Sequence, residues 1–577
     1  MKKALAIIIL LFLNVLVQAQ PRYEYWDADK KNVKSEDNYR KGIAHGKTAA
    51  WYRDGKIQKL GWYRNGKQDS TWKFYYENAG VKAIEHYKMG WKQGHNLYYY
   101  ENGKLSQETV FSDDRPDSAW TSYYEDGTLR SVEVFSYGKP EGEWKYFFPN
   151  GKPQSAGHFQ NGLKQGIYME YYRSGATRSQ YNYCKDTPCG KWAEFYENGK
   201  PKWEKEFKDS VEYLMNLWNE EGKQSITDGF GSLVVAAENG RAKAQGPYAG
   251  GLRNGLWKFF YDNGRIEYQA TYKDGKITGP YKAWFDDGKI KSEGNYLDDK
   301  KDSLWIFYLA NGNKEMEGSF KKGLREGNWT YYYDNGKKES EGRFSDDKQN
   351  GTWKYYYKTG QDWKQGDFTN NVKTGTWTTW FENGNKLQRG NYVNGKADGN
   401  WEAWWENGQL RDKGSYKADL QEGHWEGYFK NGKPNYLGEF KNNKKNGQWQ
   451  YWFEKNGKVR LIENYVLGIR HGKYILYTEN GFIDSKGKYR RGKQNGKWEY
   501  YFETGGINRI QNFRNGRLSG ESQIWQPNGK IQSIMHYKII SDKRKGHEQS
   551  VPHGTWIFYD KNGSEINRVH YSNGVKD

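Results

Sequence analysis

Gly351–Thr374 reads "GTWKYYYKTGQDWKQGDFTNNVKT", and the next three residues are "GTW" again. With the first ring of each unit taken as position 0, that ring falls at Trp72, Trp120, Trp144, Tyr168 and Trp192. It returns at Trp257, Tyr281, Trp305, Trp329, Trp353, Trp377, Trp401, Trp425 and Trp449. Within each block every step is 24 residues or a multiple of it. Thr48 and Asn96 keep the phase without a ring, and Tyr474, Trp498, Ser522 and Trp556 follow after a one-residue slip and a ten-residue insertion. Between Trp192 and Trp257 the phase is seven residues short, and degenerate units near Met215 and Leu233 fill that gap. Fixed self-similarity of this kind marks a repeat architecture of about twenty-two units.

Each unit reads as a β-hairpin. In the Trp329 unit, "WTYYYD" is a strand, Asn335-Gly336 a two-residue turn with both residues at positive φ, and "KKESEGRF" the return strand. That turn sets position 0 opposite position 13. Position 13 is Gly in most units, so Trp329, Trp353, Trp377 and Trp401 are expected to face Gly342, Gly366, Gly390 and Gly414 as the structural repeat. An aromatic laid over a strand Gly offsets part of its cost. Alternation puts positions 0, 4, 9, 13 and 15 on an apolar face and 1, 3, 5, 10, 12 and 14 on a charged one. Position 3 is the aromatic exception on the charged face: Tyr332, Tyr356, Trp380, Trp404, Tyr428 and Trp452.

The fold class expected is all-β, an elongated twisted antiparallel meander of about twenty-two tandem 24-residue hairpins. One sheet of this length cannot hide its apolar face while flat. It must coil, fold its loops over that face or pair with another chain. Residues 1–19 read as a signal peptide: Lys2 and Lys3, an apolar run from Ala4 to Val17, and a small residue at Ala19. Residues 20–207 form a first repeat block, 208–250 a degenerate stretch and candidate bend, and 251–577 a second block with an inserted loop at 534–553. The expected location is therefore outside the cytoplasm: periplasmic, outer-membrane-associated or extracellular.

The mean hydropathy of −1.15 alone suggests disorder. The composition argues otherwise, because 49 Tyr and 27 Trp recur at fixed phase. The core is expected to be built from rings. The formal charge of +20 falls to +18 once Lys2 and Lys3 are removed, a modest excess that weakly favours acidic partners or an anionic membrane surface. In an oxidising compartment Cys184 and Cys189 of "CKDTPC" read as a local disulfide.

The unit W-x-x-Y-Y-x-N-G-K, followed by G-x-Y/F and G-x-x-x-G, resembles the MORN-repeat variant of bacterial YwqK-type proteins. The segments "WTYYYDNGKKESEGRFSDDKQNG" and "WEAWWENGQLRDKGSYKADLQEG" carry the resemblance. It implies a β-hairpin array and no catalytic residues. Bacterial relatives are commonly labelled antitoxin components, whereas eukaryotic MORN proteins serve as scaffolds or membrane-associated organisers. A secretion signal departs from the antitoxin pattern, since an exported protein cannot neutralise a toxin in its own cytosol.

No H-E-x-x-H, G-x-S-x-G or G-x-x-x-x-G-K-[ST] occurs. The ten His are scattered, and His45, His95, His424 and His471 fall in the turn between units. Acid pairs at positions 17 and 18, such as Asp346-Asp347, supply too few oxygens for calcium and read as turn residues. No metal, cofactor or nucleic-acid site is expected. The expected function is a non-enzymatic exported scaffold for protein partners at the cell envelope, with self-association open. The alternatives are an envelope glycan-binding module using the position-3 rings, and an antitoxin or immunity protein. The bland reading of those rings is that they stabilise the sheet by pairing across strands with Lys.

Overall fold

The computed structural model describes residues 19–542 and 547–577. Apart from Ala19, the expected signal segment lies outside these residues. Among the described residues all 53 regular elements are strands and none is a helix, and no helix long and apolar enough to cross a membrane is present. Two compact units divide the chain, Met1–Gly264 with Gln269–Lys276 and Arg265–Tyr268 with Ile277–Asp577. The division thus falls after the 208–250 stretch. Inside that stretch, Val211–Trp218, Gln224–Thr227, Phe230–Ala236 and Ala242–Ala249 still pair antiparallel in chain order.

The Trp329 hairpin shows the unit. Strand Leu324–Tyr332 pairs with Lys338–Ser345, with Trp329 opposite Gly342, Thr330 opposite Glu341 and Tyr331 opposite Ser340. The register shifts at the next residue, where Tyr332 faces Lys338 and Glu339 is left over. The turn corrects the two-residue reading. Gly336 N–H donates to Tyr333 O at 2.9 Å and Tyr333 N–H to Lys337 O at 2.8 Å. Gly336 alone has positive φ there (83°), so Asn335 is not left-handed. This is a three-residue loop, a type I turn followed by a glycine bulge. The bulge restores the register lost in the longer turn, so Trp still meets Gly. It also moves position 9 to the charged face, beside position 3.

The left-handed two-residue turn sits between units instead. Asp346 and Asp347 have φ of 47° and 64°, and Ser345 pairs directly with Lys348 around them. Asp298-Asp299, Asn370-Asn371 and Asn442-Asn443 do the same. Asp, Asn and Gly interchange at these positions because they tolerate this conformation best.

Position 13 has a neighbour on each side. Gly318 faces Trp305 of its own hairpin and Trp329 of the next. The next unit's ring is the one that lies over it: a Cβ on Gly342 would stand 2.3 Å from the Trp353 ring, and one on Gly366 2.2 Å from Trp377. The indole N–H of Trp329, Trp353 and Trp377 then donates to a carbonyl of the preceding hairpin, that of Trp353 to Arg343 O at 3.2 Å. Phe344 meets Trp353 edge-on at 5.0 Å and 84°, and Phe368 meets Trp377 likewise. Trp329 and Trp353 are almost fully buried, Trp377 is buried at 6% exposure, and Trp401 is only half-buried. Burying one such ring contributes about 4–6 kcal/mol of gross transfer free energy. The apolar face therefore consists of positions 0, 2, 11, 13 and 15, with the position-4 rings at the hairpin turn.

Where position 0 loses its ring, position 13 of the preceding unit gains bulk: Asp37 faces Thr48, and Gln511 faces Ser522. Glu85 and Asn96 are exchanged in the same sense. The insertion expected as a loop at 534–553 is instead largely strand. Ile531–Asp542 runs on past its hairpin partner and pairs with His547–Pro552, from Tyr537–Pro552 to Asp542–His547.

Candidate functional site

The six position-3 aromatics lie on one face but none is exposed; Tyr332, Tyr356, Trp380, Trp404, Tyr428 and Trp452 are all half-buried. They occupy the last paired position before the hairpin turn, where the strand narrows into the bulge. Tyr332 Oη donates to Glu317 Oε1 of the preceding hairpin at 2.5 Å, and Lys314 Nζ pairs with the other oxygen at 2.7 Å. Tyr356, Glu341 and Lys338 repeat this triad. Burial and the Glu317 hydrogen bond push the Tyr332 phenol up to about 12. Burial acts to raise Glu317, but hydrogen bonds from Lys314 and Tyr332 outweigh it and hold the carboxyl low. Tyr428 Oη donates to Glu426 at 2.9 Å, and Lys386 Nζ lies 5.4 Å from the Trp404 ring centroid. Tyr332 and Tyr356 are thus tied into Tyr–Glu–Lys ladders between hairpins, whereas Tyr428 bonds a Glu of its own strand. Glu at position 12 and Lys at position 9 are the signal that reading position 3 alone missed.

On the opposite face, cations at position −4 cover the rings of several units. Arg325 stacks 3.9 Å over Phe344, and Lys301 lies 4.6 Å from Trp305 and 5.3 Å from Phe320. Lys373 and Lys445 cover Trp377 and Trp449 at 4.5 Å each. Burial lowers Lys301 and Lys445. The ammonium groups themselves lie over the rings, partly withdrawn from water, where cation–π attraction favours them.

The turns consume most of the remaining polar groups. Asp347 accepts from Arg325 N–H at 2.9 Å and from its guanidinium at 2.8 Å, so this member of the acid pair is already committed. His45 and His471 accept backbone N–H groups of the turns at Asn65 and Arg491, at 3.4 and 3.5 Å. Asn335 Nδ2 reaches Lys358 O at 2.9 Å and Lys337 Nζ reaches Thr359 O at 2.6 Å, so the N-G-K letters are rungs to the next hairpin. Cys184 and Cys189 are disulfide-bonded across the turn at Lys185-Asp186. Among the described residues no group of three or more His, Cys, Asp or Glu converges.

Two clefts depart from the repeat. One of about 480 Å³ is lined by Tyr52, Phe74, Tyr76, Tyr98 and Glu85. Glu85 there accepts Lys92 Nζ at 2.6 Å and the Tyr87 and Tyr98 hydroxyls at 2.8 Å each. The other, of about 470 Å³, is lined by Lys473, Lys486, Lys488, Lys497 and Glu499. Burial acts to raise Glu499, but hydrogen bonds from Lys486, Lys497 and Tyr501 hold it at about 2.

The family model described as MORN repeat variant matches residues 92–113, 140–161, 188–209, 253–274, 277–298, 325–346, 373–394, 397–418, 421–442, 494–515 and 518–538. Eleven segments of the chain thus match the MORN repeat variant. In the full-length matches each MORN segment runs from position −4 to position 17, so in the Trp329 and Trp377 units it takes in the ring-covering cation, the Trp, the hairpin turn and the Gly. No curated protein matches the chain. Among solved structures, a TcdB2-TccC3 crystal structure is 10% identical over 97% of this chain and 34% of its own, with a TM-score of 0.12. The Photorhabdus luminescens Tc holotoxin pore is 10% identical over 96% and 33%, also at 0.12. Alternansucrase in complex with isomaltononaose is 12% identical over 61% and 23%, at 0.15. The chain spans about a third of the length of the Tc toxin chains it matches.

Proposed function

We propose that this MORN-repeat protein is a non-catalytic scaffold that docks protein partners along its hairpins, at the cell envelope after export, and that it is of the YwqK type. The observation that carries the reading is the identity of register from hairpin to hairpin beneath a varied surface. Positions 0, 13 and 15 hold each hairpin to the next, while positions −1, 1 and 14 change from unit to unit. A frame of constant geometry with a variable face suits recognition by many small contacts. The half-burial of the position-3 rings and the commitment of the Tyr332, Tyr356 and Tyr428 hydroxyls to Glu weigh against glycan stacking on that row. The test is in-cell cross-linking of the tagged native protein, followed by mass spectrometry of the envelope fraction. One stoichiometric protein partner is expected. Retention on wall or polysaccharide material with no protein partner would overturn the reading, and recovery from the cytosol alone would overturn export.

A further inference from the structure

The pair of residues at positions −1 and 14 face each other across every hairpin on the charged face. In the second unit these pairs are neutral, of opposite charge or singly charged: Thr352 hydrogen-bonds Asp367, His424 faces Glu439, and Glu521 pairs with His536. Lys473 and Lys488 break the pattern. They are direct cross-strand neighbours, both exposed, with no ion-pair partner among the described residues. Like charges opposite each other destabilise a sheet. Lys486 and Lys497 line the same cleft but are held by Glu499, so its one carboxylate is already spent.

The neighbouring turn tips extend this patch. Arg490–Lys493 reads "RRGK" and Lys441–Lys444 reads "KNNK", without an acid in either. Between them Val466 faces Ile469, exposed at 51% and 54%. Strand side chains stand perpendicular to the sheet, and the register puts these flanking residues on the same face as Lys473 and Lys488. Adjacent tips are two strand spacings apart, about 10 Å, a distance covered by about three residues of an extended peptide.

We infer that this face, from Lys441 to Lys497 and centred on Lys473 and Lys488, docks an acidic peptide segment of the protein partner. A carboxylate of that segment bridges Lys473 and Lys488, and an apolar side chain beside it rests on Val466 and Ile469. The inference rests on the scaffold reading and specifies what its partner must present. The apolar pair between basic tips favours a peptide over a nucleic acid or a polyanionic sugar, neither of which offers aliphatic side chains in register with charge.

The test uses the full mature chain and a fluorescein-labelled peptide of Asp and Glu with a central Leu, followed by anisotropy. The same peptide with Ser for Leu, anionic phosphatidylglycerol vesicles and a single-stranded oligonucleotide serve as comparisons. The double variant Lys473→Gln with Lys488→Gln is expected to weaken peptide binding about tenfold or more. Because it relieves repulsion, its melting temperature is expected to equal or exceed that of the parent, which separates lost binding from lost fold. Ile469→Ser is expected to weaken the Leu peptide about threefold and leave the Ser peptide unchanged. Lys358→Gln with Lys430→Gln, at the opposite turn edge, is expected to change nothing. Equal losses in both double variants, indifference to the Leu, or tighter binding of vesicles or oligonucleotide through the same lysines would each overturn the inference. A cross-linked partner retained at full yield by the Lys473/Lys488 variant would overturn it while leaving the scaffold reading intact.

Discussion

At the residue scale, Gly342 has no room for a side chain because the Trp353 ring fills the space above it, 2.3 Å from where a Cβ would stand. Gly342→Ala must push the ring out of its packing against Phe344, and is expected to cost about 1–3 kcal/mol in denaturant unfolding. A loss below 0.5 kcal/mol, on the order of an ordinary surface change, would sink the account of the Trp–Gly pairing. Glu499 tests the polar face. Its folded value near 2 lies below its ordinary 4.5. Its stabilisation is therefore complete above the ordinary value and is lost as pH falls through the folded one. The melting temperature is expected to drop between about pH 4.5 and 2, and Glu499→Gln to flatten part of that slope. An identical slope in the variant would contradict the assignment.

At the element scale, the two turns of each unit differ in chemistry, and substitutions separate them. Asp346 is left-handed at φ 47°, so Asp346→Ala is expected to destabilise by about 1 kcal/mol while Asp346→Gly is neutral or stabilising. Asn335 has ordinary φ but carries two hydrogen bonds, to Lys358 O at 2.9 Å and from Lys337 N–H at 3.0 Å. Asn335→Gly is thus expected to lose about 1–2 kcal/mol, the opposite response to the same replacement. Equal responses at both sites would mean that the turn types are misassigned. A two-residue turn was the natural reading of Asn-Gly. Gly bulges are invisible in sequence because one Gly at positive φ serves both geometries.

At the scale of the whole molecule, contacts among the described residues run mostly between neighbouring hairpins, so stability is expected to be local. Hydrogen exchange of Gly342→Ala should rise in the strands from Lys314–Lys321 to Asp362–Thr369 and stay unchanged several hairpins away, for example at Ile43–Trp51. Uniform acceleration along the chain would show a globally cooperative fold instead. The sparse acids at Lys473, Lys488 and Arg490–Lys493 belong to this scale too. A net charge of +20 says little by itself. Its meaning lies in which cations remain unpaired once Glu499, Asp347 and the other turn acids have taken theirs.

The hairpin unit, its 24-residue period, the apolar identity of positions 0, 13 and 15, and the facing of Trp329 with Gly342 were legible in the order of residues alone. These follow from local alternation and spacing, which a strand cannot evade. Packing in three dimensions selected which ring covers which Gly, because Gly342 has a Trp on either side and Trp353 is the one that lies over it. It also decided that Arg325 and Lys301 cover rings of the apolar face, and that Tyr332 spends its hydroxyl on Glu317 of another hairpin. Those contacts join residues about one repeat apart or closer, across strands whose lateral order no single unit encodes. The like-charged Lys473–Lys488 pair lay in plain view as letters, but only the strand register turned it into a site.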